Sequence, residues 1–451
     1  MAKIEQTPAE VAWGTQTQLA IANFPISGRP VDPRLIRALA RIKAAAGTVN
    51  GSLAEVPAVD APMGRVIAEV ASEIAGGAFL DQFPIDVFQT GSGTSTNMNM
   101  NEVVATFASR RLGRAVHPND HVNASQSSND VIPSAIRIAA AAGVVDDLLP
   151  VLERLTRGLR RKSREFATVV KAGRTHLMDA TPITLGAEFG AYATQIEVNI
   201  ERLRECVPRV CMLPLGGTAV GTGINAPRQF APRVVRRLAN STSLPLRAAR
   251  DRLARQAAQD ELVELSSHLR TLAMSLVKVA NDVRWMASGP HSGLNEIELP
   301  ALQAGSSIMP GKVNPVLCEV VTQVAVQVFG NDASVAFAGS QGAFELNTYL
   351  PVIAHNVLES ITLLTNATRE FTERCLIGIV AHEAVCRDYA ERSPAIAAAL
   401  NERLGYDRVA EAVHDAERDG VTVREIVRQR GWLSARELDS LLDVQRLASP
   451  P

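Results

Sequence analysis

Two hydroxyls, an ammonium and an amide are crowded into Gly305-Ser306-Ser307-Ile308-Met309-Pro310-Gly311-Lys312-Val313-Asn314-Pro315. Its two glycines and two prolines exclude a regular helix or strand, which leaves an ordered, irregular loop. Beyond Pro315 the sequence turns apolar and periodic, so Asn314 reads as an N-cap with Pro315 at the first helical position. A loop set against a helix N-terminus and carrying Lys312 favours an anion. A hydroxyl held among such groups can be made acidic enough to serve as a base. The same segment also reads as a rigid connection whose serines only cap backbone groups.

Four more segments are dense in polar groups within an aliphatic chain. Thr90 to Asn97 places Ser92 and Thr94 in a Gly-rich turn ahead of a helix. This arrangement suits a carboxylate or phosphate, or a plain capping turn, and no P-loop lysine follows it. His117 to Asp130 brings Ser127, Ser128 and Asn129 to the start of a long helix, where they can cap it and face an anion. Its histidines and Asp120 suggest a metal, but no partner cluster of His or Cys stands elsewhere in the sequence. Gly173 to Pro182 sets His176 beside Thr175, just before a helix. It reads as a core histidine or as a general acid-base group at neutral pH. Glu319, about one turn into the helix after the opening loop, is placed to orient that imidazole. The run Leu215 to Gly223 is Gly-rich without being a dinucleotide fingerprint and reads as a packing turn. Together these islands offer neutral donors, one lysine and one histidine, with no cofactor signature. That suits proton transfer on a small, doubly anionic substrate rather than hydride or phosphoryl transfer.

The elements that must position these groups are helical. Hydrophobic residues make up 46% of the 451 residues and aromatics only 4%, so the core is built of Ala, Val, Leu and Ile. Leu262, Leu265, Leu269, Leu272, Leu276, Val279, Val283 and Met286 trace one narrow apolar seam on a long helix. Long helices are also expected from Asp130 to Phe166, bent at Pro150, and from Thr181 to Arg209, Pro315 to Phe329 and Phe344 to Cys375. Shorter ones are expected at 32–49, 63–75 and 97–111. Residues 1–30 read as extended or looped. No βαβ alternation is visible. The division is a mainly helical N-terminal region (1–127), a central long-helix bundle (128–382) and a small helical C-terminal region (383–451). Spacing alone does not say whether the seams close within one chain or between chains. The net charge of -1 gives no attraction to nucleic acid or membrane. The five cysteines are scattered, with no zinc-like pairing to histidine. Met1 to Gln6 shows no apolar leader, and no run of about 18 apolar residues occurs, so a cytoplasmic protein is expected.

The opening loop resembles the signature of the fumarase/aspartase superfamily. The segments at Thr90–Glu102, His117–Asp130, Gly173–Pro182 and Gly216–Gly223 follow in that family's order. Ser127-Ser128-Asn129, Pro310-Gly311-Lys312 and Phe344-Glu345-Leu346-Asn347 resemble the metal-independent class II fumarases. Leu294 to Ile297, Leu302 to Gly305 and Arg424 to Val427 look more like aspartases. Ala187, His291 and Leu253-Ala254 depart from both patterns and bear on the substrate more than on the reaction class. The resemblance implies a mainly α fold, a homotetramer with a pooled helical core and active sites shared between three subunits, with no cofactor or metal. It implies hydration of fumarate to L-malate, with ammonia loss from aspartate or a lyase acting on a substituted succinate as alternatives, and a silent scaffold as the remote one. By the same resemblance Ser306 is the base, and His176 oriented by Glu319 handles the leaving hydroxyl. Ser92, Thr94, Ser127, Ser128, Asn129, Thr175, Ser307, Lys312 and Asn314 hold the substrate. Arg114, His117, Asn119 and Asp120 form a second anion site.

Overall fold

The computed structural model describes residues 11–448. The expectations for Met1 to Gln6, and for the first third of the looped start, lie outside the described residues. Residues expected to be looped contain α1 (Thr15–Asn23). Its start is held by Glu102, whose carboxylate accepts from the N–H groups of Gly14, Gln16 and Thr17 at 2.9–3.0 Å. A cap supplied from so far along the chain leaves no local sequence signal. Next come α2 (Pro33–Asn50), capped by Asp32, and α3 (Ala61–Gly76), capped by Asp60 and closed by a left-handed Gly77. Then follow α4 (Thr94–Leu112), α5 (Ser128–Ala142) and α6 (Leu149–Glu165). Between α5 and α6 the helix widens into a π turn over Gly143–Leu148. Pro150, where a bend was expected, is the second residue of α6, directly after this widened turn.

Residues 170–184, whose last part was expected to open a helix, form the hairpin β1 (Val170–Thr175) and β2 (Met178–Thr184). The helix α7 (Leu185–Val210) starts only after it. The chain continues through β3 (Met212–Leu213), α8 (Phe230–Thr242), β4 (Arg247–Ala248), α9 (Arg252–Ala257) and α10 (Asp260–Met286). After β5 (Ile297–Glu298) comes α11 (Val316–Gly339), longer than its pattern indicated. The short pair β6 (Gly342–Ala343) and β7 (Leu346–Asn347) replaces the expected first turn of α12 (Leu350–Arg374). Strand β8 (Val380–Ala381) pairs with β5. The chain ends in α13 (Glu383–Arg392), α14 (Asn401–Leu404), α15 (Tyr406–Asp419), α16 (Val423–Arg430), α17 (Ala435–Leu441) and α18 (Val444–Leu447). Among the described residues the strands form two-stranded sheets only, as the lack of βαβ alternation required.

The described residues pack as two compact units, 11–150 with 199–273 and 325–365, and 151–198 with 274–324 and 366–448. In the first, Arg209 of α7 pairs with Glu264 of α10, Ser266 donates to Asp332 of α11 at 2.8 Å, and Asn331 donates to Glu359 of α12 at 2.9 Å. In the second, Tyr192 of α7 donates to Asp282 of α10 at 2.8 Å, and Phe166, Phe189 and Tyr192 stack edge to face. The helices α13 to α18 bury Ile396, Leu400, Ala412, Val427 and Leu438 around Val170 of β1.

The α10 seam lies fully inside the chain: its residues from Leu262 to Met286 are at most 3% exposed. Oligomer formation is therefore not needed to cover it. What stays open is a different stripe, Val326, Phe329, Ala333 and Phe337 on α11, with Val326 70% and Phe337 63% exposed. All five cysteines are free and buried. One of them does meet a histidine, contrary to the sequence expectation: Cys206, Glu264 and His268 bring ligand-type atoms within 4.8 Å of one another. Arg209 already occupies that carboxylate.

Candidate active site

In the loop at 305–315, Gly305 N–H donates to the Lys312 carbonyl at 2.8 Å, and Asn314 Nδ2 donates to the Gly305 carbonyl at 2.8 Å. These two bonds pinch the loop shut at its base. A Cβ on Gly305 would stand 2.4 Å from the Lys312 oxygen, so only glycine fits. Asn314 is therefore a loop clasp and not the expected N-cap; α11 starts at Val316, one residue later than read, because the amide is committed backwards. Within the loop Ser306 Oγ accepts from the N–H groups of Ile308 at 3.2 Å and Met309 at 3.0 Å. Two backbone donors converging on one hydroxyl oxygen stabilise it as an alkoxide. Residues 301–306 and 309–313 line an open cavity of about 370 Å³, with Lys312 and Ser307 exposed.

His176 occupies the two-residue turn of the β1–β2 hairpin. His176 and Leu177 both have positive φ, 56° and 61°, the geometry of a type I′ turn that favours Asn and Gly. A histidine and a leucine held there are strained, and strain of this kind collects at functional positions. The sequence placed His176 ahead of a helix; it stands instead at an exposed hairpin tip beside Thr175. The hairpin is anchored from below. Arg174 Nη1 donates to both oxygens of Glu296 at 2.9 and 3.0 Å, and Lys171 Nζ lies 3.3 Å from Glu296 and 3.0 Å from Glu188. Glu296 and Lys171 are buried, and burial pushes the Glu188 carboxyl upward against the pull of Lys171. Glu319 lies in the first turn of α11, and within the one chain no hydrogen bond joins it to His176 among the described residues.

The other islands belong to the first unit. Gly91, Ser92 and Gly93 turn into α4, and Ser92 Oγ and Thr94 Oγ1 share a hydrogen bond of 2.7 Å. A Cβ on Gly91 would collide with the Thr348 carbonyl at 1.8 Å, so the turn is packed hard against the segment leading into α12. Ser127 caps α5 in a reciprocal capping box with Asp130. Ser128 Oγ accepts from Asn97 Nδ2 at 3.0 Å, and Asn129 Nδ2 donates to the Ala219 carbonyl at 2.8 Å. The Gly-rich run at 215–223 proves to be a clasp on this helix start. Gly216 and Thr218 N–H groups donate to Asp130 Oδ2 at 2.8 and 3.0 Å. Arg114 pairs with Asp60, while His117 Nδ1 accepts from Asp120 N–H at 3.1 Å in a turn that also holds Asn119.

The site groups thus sit on three pre-formed supports, the pinched loop, the hairpin tip and the α4/α5 helix starts. The comparisons identify the family. The family described as "Lyase" matches residues 4–330, and the one described as "Fumarase C C-terminus" matches 396–449. A class II fumarate hydratase from Mycobacterium tuberculosis is 53% identical over 98% of this chain and 94% of its own length. The chain belongs to the class II fumarase family. A class II fumarate hydratase from Corynebacterium glutamicum is 51% identical with the same coverage. Among solved structures, class II fumarase from Schistosoma mansoni aligns with a TM-score of 0.95 at 34% identity, over 98% of this chain and 97% of that one. A cobalt-bound fumarate lyase of the delta-crystallin type from Brucella melitensis aligns at 0.93 and 43%, over 98% and 97%. The mainly α fumarase/aspartase-like fold expected from the signature loop is the fold found.

Several supporting residues were not singled out from the sequence, chiefly Lys43, Lys171, Glu296 and the buried role of Asp130. For Lys43 a signal existed. It falls in register with Ile36, Leu39 and Asn50 on the apolar stripe of α2, where a charge is out of place.

Proposed function

We propose that this chain is a fumarate hydratase, catalysing reversible addition of water to fumarate to give L-malate. The observation that carries the mechanism is the pair of backbone donors converging on Ser306 Oγ in a closed loop that also bears Lys312. In the dehydrating direction Ser306, as the alkoxide, takes the proton from the carbon beside a carboxylate. The electron pair moves toward that carboxylate, where Lys312 and the loop hold the developing charge. The hydroxyl on the next carbon leaves with a proton from His176 and departs as water. Each unit by which the loop lowers the serine pKa represents about 1.4 kcal/mol of preference for the alkoxide. Ser92, Thr94, Thr175, Ser127, Ser128, Asn129, Ser307 and Asn314 fix the two carboxylates. Glu319 orients His176. Arg114, His117, Asn119 and Asp120 serve as a second anion site.

The same reading takes the protein to be a homotetramer, with the three supports of each site drawn from three subunits. The exposed stripe Val326, Phe329, Ala333 and Phe337, and the exposed Ile308, Met309 and Val313 of the loop, are apolar surface of the kind a partner covers. Pooling also accounts for the absence of a Glu319–His176 bond within one chain. The three-part division at 127 and 382 follows the same reading. No described helix is long and apolar enough to cross a membrane, and we assign the protein to the cytoplasm. Ser306→Ala tests the mechanism: with fumarate absorbance followed from malate, turnover falls by about three orders of magnitude or more, while scattering still reports four chain masses. Near-normal turnover removes Ser306 from the reaction, and turnover of aspartate in place of malate overturns the substrate assignment.

A further inference from the structure

Lys43 is a fully buried lysine that the mechanism above does not use. Its ammonium donates to Asn123 Oδ1 at 2.9 Å and to Gln126 Oε1 at 3.1 Å. Asn123 Oδ1 also accepts from Asn97 Nδ2 at 3.2 Å, and the same Nδ2 donates to Ser128 Oγ at 3.0 Å. The cation therefore reaches the Ser128 hydroxyl through two side-chain amides. Asn97 is itself buried. The groups around the ammonium are Asn123 and Gln126 from the loop, Asn97 from α4 and Asp130 from α5. Asp130 is the charged one. It makes no ion pair with Lys43, because its oxygens accept from the N–H groups of Ser127, Gly216 and Thr218.

We propose that Lys43 is a positioning residue for the substrate dianion: it orients the 123–128 loop and binds a proton from solvent as the dianion settles on Ser127, Ser128 and Asn129. The inference rests on the fumarate hydratase reading. A buried ammonium with no direct counter-ion is costly. Burial pushes Lys43 down to about 7, with Asp130 pulling the other way, and burial pushes Asp130 up to about 6. Near neutral pH the unliganded site holds a mixture of ammonium and amine. Two negative charges arriving beside Ser128 favour the ammonium, so one proton passes from buffer to Nζ as the ligand binds. Dianion affinity then weakens as pH rises above about 7.

The test is calorimetric titration of the assembled protein with succinate, a dicarboxylate with no leaving group, in buffers of different ionisation heat. The expected uptake is about half a proton per site at about pH 7.5, falling to a small fraction at about pH 6.5, where Lys43 is mostly charged and succinate is still the dianion. In Lys43→Met the uptake disappears, and KM for fumarate rises about tenfold while kcat stays within about threefold. A packing role alone would lower kcat and stability together and give the parent no uptake. No uptake by the parent at the higher pH overturns the proposal, as does uptake that persists in Lys43→Met, which would belong to another group. Fumarate turnover by the parent separates the two levels. Turnover without uptake overturns the role of Lys43 alone, and no turnover overturns the functional reading beneath it.

Discussion

Replacing Glu296 by glutamine keeps the shape of a fully buried side chain and removes its charge. The carboxylate faces two cations, Arg174 at 2.9–3.0 Å and Lys171 at 3.3 Å, and only Glu188 then remains to face Lys171. At an effective dielectric of about 20, each unit-charge pair near 3 Å is worth roughly 5 kcal/mol before desolvation is counted. Desolvation of each ion, several kcal/mol, offsets much of that, and breaking one buried partnership costs about 3–5 kcal/mol net. For a unit of this size about 1 kcal/mol lowers the melting temperature by roughly 2–4 °C, so a fall on the order of 10 °C is expected. Trp285 and Trp432 lie in the same unit, and their fluorescence reports its unfolding. Because Arg174 carries the hairpin tip, kcat should fall at least tenfold at temperatures where the variant is folded. Adding Lys171→Met removes the excess cation and should recover part of the loss, a coupling that a simple packing defect would not show. A melting temperature within about 2 °C of the parent would refute the charge argument.

The other predictions concern the hairpin histidine and the buried lysine. His176→Asn keeps a residue suited to positive φ, so the turn survives and kcat falls by about 100-fold or more with little change in melting; collapse of the assembly instead would assign His176 a structural role. Lys43 has a folded-state pKa lowered from 10.5 to about 7. Between those values the unfolded chain holds a proton that the folded chain lacks, so the parent gains stability as pH rises through that window and bears the full penalty below it. Urea unfolding should therefore show Lys43→Met losing ground to the parent by up to about 1.4 kcal/mol per pH unit from about pH 7 to 10; parallel pH curves would sink that argument.

How legible each part was depends on how far its cause lies from it in sequence. The α10 seam and the capping of α5 at Ser127 were readable because periodicity and capping are local. The α1 helix was hidden because its cap, Glu102, comes from α4. The start of α7 was placed too early because Thr181 to Thr184 pair with β1, a partner that helical patterning does not reveal. Asn314 looked like a cap because the sequence shows an amide before a helix but not the Gly305 carbonyl that claims it. In the candidate site, the hydroxyls, Lys312 and His176 stood out by type. The groups behind them, Glu296, Lys171 and Asp130, look in sequence like ordinary charges, and only burial distinguishes them.

The five buried thiols give the molecule a pair of built-in clocks. Burial holds Cys206, Cys211 and Cys386 up to about 12, so thiolate is scarce until the surrounding helices part. Cys206 and Cys211 belong to one compact unit, and Cys318, Cys375 and Cys386 to the other. The order in which an alkylating reagent marks those two sets records which half of the chain opens first.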